Sequence, residues 1–79
     1  MFDEDYYGKE EYELYRDLVV KNLSGLTVSK ARDEAYDPGG LIYEAEQLGL
    51  DWKQLLRCLE GLCYNGEAQE INDHTYYVF

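Results

Sequence analysis

The chain has 79 residues and a formal net charge of −10, from 17 Asp and Glu against 7 Lys and Arg. So short a chain holds one hydrophobic core at most, and this acidic excess opposes binding to phosphate backbones or anionic lipid and favours basic partners. Hydrophobic residues at 46% and aromatics at 15% exceed what a disordered acidic tail carries, so the chain is expected to fold.

Residues 1–8 read as a flexible acidic leader in which Asp3, Glu4 and Asp5 stand between aromatics. Residues 9–79 read as a single domain. From Glu10 to Leu23, the residues Leu14, Tyr15, Leu18, Val19 and Leu23 recur at helical spacing and predict one apolar face, with Glu10, Glu13 and Asp17 in solvent. Ser24-Gly25 ends that helix. Leu26 to Val28 is a short β-favouring stretch, and Ser29 to Tyr36 is expected to form a short helix capped by Ser29. Asp37-Pro38-Gly39-Gly40 is the strongest breaker in the chain and predicts a turn.

Beyond the turn, Leu41, Ile42, Ala45 and Leu48 line one face of a short helix that Gly49 closes. Asp51 is placed to cap the next helix, where Trp52, Leu55, Leu56, Leu59, Leu62 and Cys63 form the most regular amphipathic pattern in the chain. After Gly66, the runs Ala68 to Ile71 and Thr75 to Phe79 predict a hairpin. With Asp73-His74 as its turn, Ile71 would face Tyr76, Gln69 Val78, Glu70 Tyr77 and Ala68 Phe79.

The order of elements from Leu41 to Phe79 resembles winged-helix domains, in which an A-x-x-L-G-L turn joins two helices and L-x-x-L-x-x-x-G leads into the wing. Here those positions are Ala45, Leu48, Gly49 and Leu50, then Leu59, Leu62 and Gly66. The resemblance implies a mainly α fold of three to four helices, helix one included, followed by a C-terminal two-stranded wing. It also implies DNA contact through the second helix of the motif and the wing, and here the charge has the wrong sign. Between Gly40 and Gly66 stand two basic residues, Lys53 and Arg57, against four acidic ones, Glu44, Glu46, Asp51 and Glu60. The wing adds Glu67, Glu70 and Asp73 and neither Lys nor Arg. Lys53 and Arg57 are the candidates for DNA contact if any occurs, although Glu60 beside Arg57 offers the plainer role of a solvated ion pair.

No convergent catalytic set is found. His74, the one histidine, falls in the hairpin turn; Cys58 and Cys63, five apart on one helix, make neither a disulfide nor a zinc spacing, and both are expected reduced. Asp33, Asp37 and Glu44 match three places of a calcium loop, but Ala35 lacks the oxygen and Pro38 the glycine that the loop needs. Neither an enzyme, a cofactor nor a metal is expected. With neither an apolar run long enough to span a membrane nor a secretory signal, the expected compartment is the cytoplasm.

Nine tyrosines are more than one small core can take. Tyrosine beside acid suits an interface, the ring giving buried area and the carboxylates steering a basic partner. Asp3, Glu4, Asp5, Tyr6, Tyr7, Tyr43, Tyr64 and Tyr77 are therefore the candidate protein-interaction residues. The expectation is a small acidic interaction module that binds a basic protein surface, in the manner of DNA-mimic regulators or inhibitors of phages and mobile elements. The alternative is a winged-helix transcription regulator, as a homodimer paired through helix one.

Overall fold

A computed structural model of the chain describes residues 9–30 and 37–79. The described elements are α1 (Lys9–Leu23), β1 (Thr27–Ser29), α2 (Leu41–Leu48), α3 (Trp52–Tyr64), β2 (Ala68–Asn72) and β3 (Thr75–Val78). They form a mixed α/β domain of three helices and a three-stranded antiparallel sheet in the order β1-β3-β2. The expectation of a mainly α fold with a two-stranded wing is corrected by β1. Thr27, Val28 and Ser29 pair with Tyr77, Tyr76 and Thr75 of β3. A run of three residues carries little signal by itself, and β3 supplies the ladder that makes it a strand. Ser29 is the last residue of β1; residues 31–36 of the helix expected to follow it, like the leader 1–8, lie outside the described residues.

In α1 the acidic Glu10 and Glu11 occupy the first turn and Lys21 the last, the arrangement that complements the helix dipole. The buried face is only partly the one the spacing predicts: Val19, Leu23 and, at its edge, Tyr15 pack inward as expected. Tyr12, Val19 and Leu23 are buried, whereas Leu14 and Leu18 are 74% and 37% exposed. In α2, Leu41 and Ala45 are buried, and Gly49 ends the helix at φ 76°, its N–H donating to the Ala45 and Glu46 carbonyls. That left-handed conformation is open to glycine without strain.

The α3 N-terminus carries a full capping box. The Asp51 carboxylate accepts from the Lys53 N–H at 3.2 Å, and the Gln54 side chain accepts from the Asp51 N–H at 2.9 Å. Leu55, Cys58, Leu59 and Leu62 are buried, while Trp52, expected on the apolar face, is 40% exposed. It is the first residue of the helix. Asp73-His74 does form the hairpin turn, and Asn72 pairs with Thr75. Beyond them the expected register is off by one: Ala68, Gln69 and Glu70 face Val78, Tyr77 and Tyr76, because the ladder shifts between Glu70 and Asn72. A bulge at Ile71 moves the strand by one residue and leaves Ile71 53% exposed.

The core lies between the helices and one face of the sheet, to which Val28, Ala68, Tyr76 and Val78 contribute. α1 and α3 come into close contact at Gly61 of α3. A Cβ built there would stand 2.7 Å from the Tyr12 Cβ and 2.8 Å from its Cγ, so α1 lies directly on the bare glycine backbone. Beside this crossing the Tyr12 hydroxyl donates to Glu67 Oε2. Arg16 clamps the same carboxylate with Nε to Oε2 at 3.1 Å and Nη2 to Oε1 at 2.8 Å. Glu67, next to the start of β2, is thereby tied to α1.

Candidate interaction surface

Helical spacing places Lys53, Arg57, Glu60 and Tyr64 on the side of α3 opposite the buried Leu55 and Leu62. Lys53 is exposed, its ammonium 5.8 Å from the Trp52 ring centroid. Arg57 does not simply project outward. Its Nη1 makes a 3.0 Å ion pair with Glu11 Oε1 of α1, a contact that spacing within one helix could not reveal. Part of its charge is therefore neutralised within the fold, leaving it less available to a phosphate.

The C-terminal half of α3 comes close to the sheet, and there acid dominates. Lys30, just after β1, sits 5.4 Å over the Tyr76 ring. A hydrogen bond with Tyr76 raises the Lys30 pKa, with smaller contributions from the tyrosine's charge and from Glu70 and Glu60. Burial raises the Tyr76 phenol, which Lys30 partly offsets and Glu60 and Glu70 reinforce. The half-buried Cys63 thiol is raised by burial first and then by the same two carboxylates. Glu60 of α3 and Glu70 of β2 therefore act on one neighbourhood, bounded by α3 and the β2–β3 hairpin. Asp73 adds an exposed acid at the hairpin turn.

Three of the candidate interaction residues, Tyr43, Tyr64 and Tyr77, are described. Tyr43, on α2, is half-buried; Tyr64, at the end of α3, is 89% exposed; and Tyr77 is half-buried on β3. The Tyr77 ring meets Phe79 edge to face at 5.5 Å. Asp3, Glu4, Asp5, Tyr6 and Tyr7 lie outside the described residues. The tyrosine surplus is partly absorbed by the core, where Tyr12 and Tyr76 are buried. Neither the Tyr12–Glu67–Arg16 link nor the exposed Leu14 and Leu18 are legible from periodicity, since both depend on which side of α1 meets α3.

Other candidates have structural uses. Of the calcium-loop residues, Asp33 lies outside the described residues, and Glu44 Oε2 accepts from the Gly39 N–H at 3.1 Å, closing the turn before α2. Among the described residues no group of three or more His, Cys, Asp and Glu gathers as metal ligands would. The His74 N–H donates to Asn72 Oδ1 at 2.8 Å within the hairpin turn. Cys58 is buried and its thiol is pushed up to about 12 by burial, which makes it a poor nucleophile. No helix among the described residues is long and apolar enough to cross a membrane.

These features define a small mixed α/β domain in which Glu60 of α3 and Glu70 and Asp73 of the β2–β3 hairpin supply acid. Compared with protein families, with curated proteins and with solved structures, the chain has no match in any of the three.

Proposed function

We propose that the chain is a winged-helix-like, non-enzymatic interaction module of the cytoplasm that binds a basic protein partner, as a regulator or inhibitor of the DNA-mimic type. The observation that carries this reading is the placement of Glu60, Glu70 and Asp73 on α3 and the β2–β3 hairpin. These are the two elements with which a winged helix addresses DNA, and here they would meet phosphates with the same sign of charge. The α2–α3 helix-turn-helix running directly into the hairpin supports the winged-helix likeness. The acid placed upon it supports a basic ligand, since complementary charge steers encounter and rejects partners of like charge. Arg57, paired with Glu11, contributes less to any opposing basic patch than its sequence position suggests.

The test has two arms. Fluorescence anisotropy against random duplex DNA at low salt is expected to show no binding; salt-sensitive affinity there would establish instead a DNA-binding regulator that uses Lys53 and Arg57. In the second arm, the chain and its E60K/E70K variant are used as baits in a native extract washed at rising salt. A basic protein held by the native chain at low salt and lost with the variant supports the reading. Equal retention by both baits would place the interaction elsewhere.

A further inference from the structure

We infer that the outer face of α1 is a self-association surface, on which a second copy of this chain docks its own α1 antiparallel. Leu14 and Leu18 stand four residues apart on one side of the helix, and at 74% and 37% exposure they are apolar side chains that the fold has turned away from its core. The same stripe is bounded by exposed charges of opposite sign. Glu10 lies one turn before Leu14, and Lys21 about one turn after Leu18. Neither Glu10 nor Lys21 belongs to an ion pair found among the described residues.

The order Glu10, Leu14, Leu18, Lys21 is complementary to its own reverse; Asp17, exposed on the same flank beside the axis, is paired within its own copy to Arg16 Nη1 at 2.9 Å. About a two-fold axis near Arg16, Leu14 of one copy faces Leu18 of the other, and Glu10 comes within one residue, about 1.5 Å of helix rise, of facing Lys21 at both ends. A parallel pair would set Glu10 against Glu10 and Lys21 against Lys21, and so would be repelled at each end. The charges therefore choose both the occupant and its direction, as a two-fold interface between identical surfaces requires. Glu11 and Arg16 are engaged within the fold, which leaves the stripe itself to the second copy. This surface is separate from Glu60, Glu70 and Asp73, and does not depend on the function proposed for those residues.

The pairing is weak. A helix of 15 residues is about 22 Å long, too short to bury alone the roughly 1,200 Å² of a stable interface. Two copies of net charge −10 also repel each other at long range. Association is therefore expected across about 10 µM to 1 mM, and sedimentation equilibrium of the full chain at near-physiological salt reads it directly. The weight-average mass should climb from 9.3 kDa toward twice that value.

L14E/L18E should remain monomeric across the range with its thermal melting unchanged, because both side chains are exposed. K21E should weaken association by roughly three- to tenfold, and the exchange E10K/K21E should restore it to within about twofold. A native chain that stays monomeric at 1 mM would overturn the inference. So would association unaffected by L14E/L18E, and a charge exchange that fails to rescue would exclude the antiparallel pairing.

Discussion

The helices α1 and α3 are of similar length and pack against each other, yet they use their apolar residues differently. In α3, Leu55, Leu59 and Leu62 all enter the core, and the outer side is left to Lys53, Arg57, Glu60 and Tyr64. In α1, two of three leucines face solvent, and the side toward α3 includes a tyrosine ring lying on a glycine and an arginine clamping a carboxylate. An amphipathic pattern thus predicts that a helix forms more securely than it predicts which side is covered. The partner's shape settles the second question: Gly61 admits the Tyr12 ring, and Glu67 captures the groups flanking it.

The largest test of this contrast compares leucines from the two helices. Leu59→Ala empties a fully buried site and should cost about 3 kcal/mol in urea unfolding, whereas Leu14→Ala should stay within about 0.5 kcal/mol. Similar costs for the two would mean that α1 is turned otherwise. Next comes the crossing itself. In an ordinary helix Gly→Ala is stabilising by about 1 kcal/mol, but at Gly61 the added methyl meets the Tyr12 Cβ and Cγ, atoms held close to the α1 backbone. Gly61→Ala should therefore destabilise by about 2 kcal/mol, and a rise in melting temperature would show that α1 does not lie on this glycine.

The smallest effect comes from Glu67. Arg16 first, and Tyr12 second, hold its carboxyl below the usual carboxylate range. A folded-state pKa below the unfolded value stabilises fully above the unfolded pKa of roughly 4.3, and the contribution is lost as pH falls through the folded value. Glu67→Gln should thus cost about 1 kcal/mol at pH 6, and the gap between variant and native chain should close toward pH 3. A gap that widened on acidification would contradict the clamp.

Several features could be read from residue order. The α3 helix follows from Asp51, Gln54 and a regular leucine spacing, all local to one segment. The end of α2 follows from Gly49, and the hairpin turn from Asn72-Asp73-His74. The acid of the candidate surface was equally visible, because Glu60, Glu70 and Asp73 need no partner to be counted. The hairpin register was not, since a one-residue bulge at Ile71 leaves the turn in place while shifting every pair beyond it. Nor was β1, whose three residues become a strand only when β3 lies beside them.

By itself, then, the sequence determined the ends of α2 and α3, the position of the hairpin turn, and the excess of acid over base from Asp51 to Phe79. Capping, left-handed glycine and net charge depend on residues a few positions apart or on simple composition. The tertiary structure alone decided that Leu14 and Leu18 face outward, that Arg57 reaches Glu11, and that Glu67 joins Tyr12 and Arg16. Each of those depends on residues 46 to 55 positions apart or on the side from which one helix approaches another, and only the packed core sets such distances.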